Sequence, residues 1–271
     1  MDIPRYHELA TRIRQGEVLL GTFLNLGSPI ATEICGSAGF DWVVIDLEHG
    51  SGTEANLIAQ LQAAAATTTY ALVRVESHDR SRIGHALDAG AEGIVVPRVE
   101  NAEQAQMIVA ATRYPPSGNR GVALMNRAAA FGMAGALALL EAEGIGVTVL
   151  QIESRLGLDA ADEIAAVDGV DVIFLGPADL SQALGVFGRF TEPIFVEALR
   201  HLVRAASNHG KVAGVLAGDI EEAERYLDAG YRFIGVGGDS GFLTRAARST
   251  ATGLRERVIG RLNRNQLAQE A

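Results

Sequence analysis

Val147-Thr-Val-Leu-Gln-Ile-Glu153 and Val170-Asp-Val-Ile-Phe-Leu-Gly176-Pro-Ala-Asp-Leu180 are the two stretches whose reading decides the fold. Each is a short apolar run rich in β-branched residues. The first stops on a carboxylate, and the second stops on Gly176 followed by Pro177, Ala178 and Asp179. Between them Leu156, Ile164 and Val167 stand among alanines in a helix-like segment that closes at Gly169. Near-continuous apolar runs joined by a helix are the pattern of parallel strands buried on both faces. Glu153 and Asp179 then fall at the carboxyl ends of neighbouring strands, where α/β folds assemble their sites. Two carboxylates on one rim repel each other unless a cation or a proton lies between them. Mg²⁺ and Mn²⁺ accept such oxygen ligands, with water or substrate completing the shell. Alternatively each acid merely begins the helix after it, where an acid gains ~0.3–1 kcal/mol. The occurrence of both at strand ends favours the metal.

Outward from this unit the same rhythm continues. Helices are predicted over 6–15, from Ser28-Pro29 to Gly39, over 53–66, 79–89, 101–113, 194–209 and 219–229, with two closing helices to about 266. Strands are predicted at 18–24, 42–46, 70–75, 93–97, 212–216 and 233–237. With the central pair this makes eight strands alternating with helices. A joint recurs at Ala38-Gly39, Ala89-Gly90, Asp168-Gly169 and Ala229-Gly230, where glycine supplies the left-handed residue that ends a helix. Eight βα units without a linker predict a single (β/α)₈ TIM barrel over 1–271, with about 244–271 as a C-terminal helical extension. The Ala- and Gly-rich stretch between Gly118 and Gly146 reads as a loop and helix over the rim.

Composition narrows the function. The chain has 271 residues, 48% hydrophobic, enough for a sizeable core. A net charge of −10 without a basic cluster argues against nucleic acid and anionic membrane as partners. The absence of a long apolar run or a signal-like N-terminus predicts a cytoplasmic location. Cys35, the only cysteine, excludes an internal disulfide and a cysteine-based zinc cluster. Lys211 is the only lysine among 23 basic residues and stands at the amino end of a strand. A Schiff-base enzyme needs its lysine in the site, so that chemistry is disfavoured.

The predicted strand ends are polar. They carry Asp46-Leu-Glu48-His49, Arg74, Arg98, Gln151 with Glu153, and Asp179. His49 is the natural proton carrier at neutral pH, with Asp46 to orient it; a plain surface histidine is the simpler alternative. Arg74 interrupts an apolar strand and must find an anion, either a substrate or a structural partner in Asp46 or Glu48. Arg98 and Glu48 could pair with each other. The N–H groups of Ala178 and Asp179 would favour a substrate carboxylate. Gly235 to Gly238 resembles a phosphate-holding turn, although no basic residue accompanies it. The remaining histidines read as surface or packing groups.

Ala38-Gly-Phe-Asp-Trp-Val-Val-Ile-Asp-Leu-Glu-His49, Ala111-Thr-Arg-Tyr-Pro-Pro-x-Gly-x-Arg-Gly121, Gln151-Ile-Glu153 and Gly176-Pro-Ala-Asp-Leu180 together resemble the motifs of the HpcH/HpaI aldolase family, over about 21–243. The resemblance implies a class II, metal-dependent pyruvate aldolase on a TIM barrel. It implies a homo-oligomer too, a hexamer built as a trimer of dimers that exchange their last helix. Glu153 and Asp179 match the metal ligands (Mg²⁺, Mn²⁺ or Co²⁺, with Zn²⁺ as a further option), and His49 matches the base with Asp46 as its partner. Arg74 matches the substrate-binding, enolate-stabilising arginine, and Gln151 the glutamine beside the metal. Substrate contacts extend to Gly176, Pro177, Ala178 and Asp179. The expected reaction is reversible cleavage of a 4-hydroxy-2-oxo acid to pyruvate, or to a relative such as hydroxypyruvate, and an aldehyde. The stretches Val75-Glu-Ser-His-Asp79 and Asn126-Arg-Ala-Ala-Ala-Phe-Gly132 depart from the better-known dioate aldolases and are expected to line the acceptor pocket. Competing readings are an oxaloacetate decarboxylase, a CoA-ester lyase of the citrate-lyase β type, a phosphate-binding barrel isomerase, and a non-catalytic binding protein.

Overall fold

The computed structural model describes residues 5–133 and 146–269. Eight parallel strands close a barrel in chain order. They are β1 Leu19–Leu24, β2 Trp42–Asp46, β3 Tyr70–Arg74, β4 Gly93–Val96, β5 Val147–Ile152, β6 Val172–Leu175, β7 Val212–Ala217 and β8 Phe233–Gly238. Around them lie α1 Arg5–Arg14, α2 Pro29–Ser37, α3 Glu54–Ala65, α4 Arg80–Asp88, α5 Ala102–Thr112, α6 Arg155–Asp159, α7 Ala161–Ala165, α8 Pro177–Ala183, α9 Pro193–Asn208, α10 Ile220–Ala229 and α11 Asp239–Gln269. Helix starts follow local chemistry. Ser28, Asp79, Asn101 and Asp219 each accept a hydrogen bond from a first-turn N–H, so donors that the helix leaves unpaired are satisfied. Gly39, Gly90, Gly169 and Gly230, the four glycines of the recurring joint, hold φ of 98°, 99°, 95° and 108°.

The barrel interior is filled from alternate positions. Trp42 and Val44, Tyr70 and Leu72, Val147 and Val149, and Val172 and Phe174 are buried in one cluster with Phe23 and Phe233. Trp42 stacks on Phe233 at 4.1 Å between ring centroids. Gly21 makes room for this pair, since a Cβ there would lie 2.0 Å from the indole. Leu9 and Ile13 of α1 join the same cluster and plug the amino end. A second apolar layer separates the strands from the outer helices.

Three expectations are corrected. The helix between β5 and β6 breaks at Ala160 into α6 and α7, each burying its own small face (Gly157; Ala161, Ile164 and Ala165). The two closing helices are one, α11, because Gly253 inside it costs only about 1 kcal/mol and no proline intervenes. The stretch from Asn119 to Gly132 packs on the outer helices: Arg80 at the start of α4 donates to the Asn119 carbonyl, and Arg127 donates to the Leu61 carbonyl of α3. There Arg120 pairs with Asp88 at the C-terminal end of α4 and stacks over Tyr114, while Ala128 N–H bonds the Asp88 carbonyl. It does not line the mouth of its own barrel. The helix expected after it falls at 134–145, outside the described residues.

Candidate active site

The alternation that buries the barrel core also builds its mouth. Continuing inward-facing positions by two residues leads from Val44 to Asp46, from Leu72 to Arg74, from Val149 to Gln151 and Glu153, and from Phe174 to Gly176. Register then sets neighbours: Asp46 and Arg74 are direct partners across β2 and β3.

Asp46 is 1% exposed and accepts from Arg74 Nε at 2.9 Å and from an Arg74 terminal nitrogen at 2.8 Å. Burial alone would raise its carboxyl; the hydrogen bonds and charge of Arg74, with the backbone N–H groups of His49 and Glu48, outweigh this and hold it below the usual range. Arg74 in turn reaches Glu48 Oε2 at 3.2 Å and lies over the Phe23 ring at 5.2 Å. The structural partners considered for Arg74 are thus both present, and Arg98 is left without Glu48. Nor does Asp46 orient the His49 ring. Its oxygens are engaged by Arg74, by Asn25 Nδ2 at 2.8 Å, and by the Glu48 and His49 backbone. The ring is 62% exposed and lies 3.9 Å from Glu48 Oε2.

Glu153 is buried and is no helix cap, because Ser154 takes that position in front of α6. Its Oε1 accepts the Arg98 N–H at 2.9 Å, and Oε2 accepts from Gln151 Nε2. Burial first, then the charges of Glu48 and Asp179, push its carboxyl up to about 7. Gly176 is required beside it: a Cβ there would stand 2.6 Å from Glu153 Oε2 and 2.8 Å from Gln151 Nε2. Asp179 is exposed in the first turn of α8, after Pro177 and Ala178. Buried Gln151 Oε1 has no hydrogen-bond partner among the described residues, while Glu48 Oε2 is held by its ion pair with Arg74.

These features fit a hard cation. Burial first, then the charges of Glu48 and Asp179, raise the Glu153 carboxyl, and the neighbouring Gln151 Oε1 lacks a donor. No group of three or more His, Cys, Asp or Glu side chains converges on a metal position among the described residues. Two carboxylates with water and substrate filling the rest match the habits of Mg²⁺.

Asn25 and Asp239 carry no periodic signal and were not singled out from the sequence. Asp239, at the β8–α11 junction, accepts from the N–H groups of Asn25, Leu26 and Ser240, and so ties β8 to the end of β1. Gly238 gives the Asn25 side chain its space, since a Cβ there would meet Asn25 Oδ1 at 2.7 Å. The glycines at the end of β8 therefore serve packing. Lys211 precedes β7, at the opposite end from Glu153, and lines a cavity of about 240 Å³ with Arg14 and Asp171. Among the other histidines, His78 bonds the Pro97 carbonyl, His201 the Leu158 carbonyl and His209 Asp162.

Fold and mouth together define an α/β-barrel enzyme whose site combines a fixed arginine with converging carboxylates. The family profile described as HpcH/HpaI aldolase/citrate lyase matches residues 19–246. The chain belongs to this family and is a carbon–carbon lyase of the aldolase type. It is 41% identical over 235 residues, 87% of this chain and 91% of the relative, to the 5-keto-4-deoxy-D-glucarate aldolase of Klebsiella pneumoniae subsp. pneumoniae. An HpcH/HpaI aldolase/citrate lyase family protein from Burkholderia cenocepacia J2315 superposes with a TM-score of 0.87 at 38% identity, over 92% of this chain and 99% of the other. An HpcH/HpaI aldolase from Desulfitobacterium hafniense DCB-2 gives 0.84 at 30% identity, over 92% and 96%. Among the described residues no helix is long and apolar enough to cross a membrane.

Proposed function

We propose that the chain reversibly cleaves a 4-hydroxy-2-oxo acid into pyruvate, or a related 2-oxo acid such as hydroxypyruvate, and an aldehyde. The observation that carries this reading is the pairing at the mouth of two buried groups, Glu153 tied to Gln151 and to the Arg98 N–H, and Arg74 held by Asp46 and Glu48. Burial and the charges of Glu48 and Asp179 push the Glu153 carboxyl up. Glu153 and Asp179 would hold Mg²⁺, Mn²⁺ or Co²⁺, which supplies Lewis-acid charge beside the oxygens of the 2-oxo acid. Arg74, aimed by Asp46 and Glu48, donates to the donor oxygen on which negative charge gathers as the carbon–carbon bond breaks. Gln151 holds Glu153 with its amide nitrogen and keeps Oε1 for a water or a substrate hydroxyl. Gly176 and Pro177 leave space beside Glu153, and the Ala178 and Asp179 N–H groups face the rim as donors for the substrate carboxylate. His49 takes the proton of the 4-hydroxyl in cleavage and returns it in condensation; its exposed ring can turn toward substrate. Replacing His49 by Ala is expected to slow cleavage by ~10²–10⁴, and an unchanged rate would remove it from the reaction.

A second part of the proposal concerns assembly. The groove lined by Leu20, Phe40, Ile220, Leu227, Ile234 and Phe242 is open over about 990 Å³ and apolar. The α11 residues Leu243, Leu254, Val258, Ile259 and Leu262 are exposed. We infer that α11 seats in this groove of a second copy, giving a homo-oligomer, with the hexamer as its full form.

The test is a screen of aldehydes against pyruvate and hydroxypyruvate, with Mg²⁺, Mn²⁺ or Co²⁺ added. A 4-hydroxy-2-oxo acid product is expected. Fast loss of CO₂ from oxaloacetate without any condensation product would replace aldol cleavage by decarboxylation.

A further inference from the structure

Asn25 directly follows β1 and is half-buried. Its peptide groups tie two other segments to the end of that strand. The N–H donates at 2.8 Å to Asp239 Oδ1 at the start of α11, and the carbonyl accepts the Ser51 N–H, from the turn after β2, at 2.7 Å. Any residue but proline could supply those two bonds, so they leave the choice of asparagine unexplained. The side chain has a different partner. Its Nδ2 donates at 2.8 Å to Asp46 Oδ2, the oxygen that also accepts an Arg74 terminal nitrogen at 2.8 Å. The other Asp46 oxygen takes Arg74 Nε at 2.9 Å and the backbone N–H groups of Glu48 and His49 at 3.1 and 3.2 Å. Both oxygens of this fully buried carboxylate are thus pinned from outside the ion pair, which fixes the plane that the Arg74 fork must match. Without Asn25, Oδ2 keeps Arg74 alone among the described residues, and the guanidinium is free to swing toward Glu48, 3.2 Å from its other terminal nitrogen. The amide must present its nitrogen to Asp46, since its oxygen there would set two acceptors against each other. Gly238 leaves it a seat: a Cβ at that glycine would stand 2.7 Å from Asn25 Oδ1.

We propose that Asn25 is a positioning residue: by pinning Asp46 it keeps the Arg74 fork aimed at the oxygen on which negative charge gathers, while touching no reacting atom itself. This rests on the aldol reading above. The test follows cleavage of a 4-hydroxy-2-oxo acid obtained in the screen above, at saturating Mn²⁺. Wild type, Asn25→Ala, Asn25→Asp, Arg74→Lys and the double variant Asn25→Ala with Arg74→Lys are assayed side by side. In Asn25→Ala kcat is expected to fall about tenfold or more with KM changed by less than about threefold, because the interaction lost strengthens as charge develops. On the Arg74→Lys background no fork remains to be aimed, so the same change should cost less than about threefold. Asn25→Asp keeps the size and both backbone bonds but sets a carboxylate against Asp46, with Glu48 and Asp239 adding like charge and Arg74 opposing it. Its kcat relative to wild type should be lowest near about pH 8 and rise several-fold toward about pH 6, as the introduced carboxyl gains a proton and can donate again. That variant carries the test alone if Asn25→Ala does not fold. An unchanged kcat in Asn25→Ala, an equal loss on both backgrounds, or a ratio for Asn25→Asp that does not rise as pH falls overturns the assignment. A wild-type chain that forms and cleaves no 4-hydroxy-2-oxo acid overturns the aldol reading itself and this proposal with it.

Discussion

Arg74 shows how a charged side chain can occupy the interior of an apolar barrel. It is 8% exposed, and Asp46 and Glu48 hold its guanidinium charged despite burial. Replacing it by Lys keeps the charge and loses the planar fork. Activity should fall by on the order of 10²–10³, as for removal of a donor aimed at developing charge; a steady-state assay showing less than a threefold change would mean that the fork is dispensable. Gly176→Ala places a methyl against Glu153 and Gln151 and should lower kcat by roughly 10², as misplacements of about 1 Å do. Circular dichroism should still report a folded barrel. The Glu153 carboxyl gives a pH signature. Its folded value of about 7 lies above the ordinary 4.5. Between these two values the folded chain keeps a proton that the unfolded chain has released. Metal-free stability is therefore highest below the lower value, falls as pH rises through the window, and stays low above about 7. Divalent cation competes with that proton, so its affinity should weaken as pH falls below about 7. Calorimetric metal titrations with a pH-independent Kd would contradict this. The positions of Asp46, Arg74, Gln151, Glu153 and Gly176 were legible because each continues an apolar run by its own parity. The Asp46–His49 contact was not, because short spacing in sequence says nothing about which of several donors captures a buried carboxylate. Asn25 and Asp239 stayed silent, since their meaning comes only from the closure of β8 onto β1.

At the scale of elements, helix and strand ends were legible where a cap or a left-handed glycine marks them, as at Ser28, Asp79 and Gly230. The break at Ala160 had no such mark and follows from packing alone. The closing segment differs in the opposite way: two helices are expected there, yet α11 runs unbroken through Gly253. Leu254, Val258 and Leu262 recur every four residues on this helix and are 61%, 46% and 58% exposed. Such a stripe needs cover. Changing these three to Ser should shift sedimentation velocity from an oligomer toward the monomer, with the far-UV spectrum little altered. An unchanged sedimentation coefficient would show that the assembly does not use this face.

The whole molecule divides its labour along the barrel axis. Below, α1 and stacked aromatics give rigidity. Trp42→Ala should cost about 3–5 kcal/mol in denaturant unfolding, and a loss under 1 kcal/mol would mean that the interior readily repacks. Above, the same strands end in charges that a dry core could not hold alone. The barrel itself was legible from eight repeated βα units, whereas the course of the stretch from Asn119 to Gly132 depends on the Arg120–Asp88 pair, which no local pattern announces. That Glu153 and Asp179 grip a divalent cation is tested most directly by the carbon–carbon cleavage rate of chelator-treated protein, before and after Mg²⁺ or Mn²⁺ is restored. Cleavage is expected to be lost on chelation and to return with metal in the wild type, and not to return in Glu153→Gln or Asp179→Asn. Full cleavage by the chelated wild-type chain would contradict it.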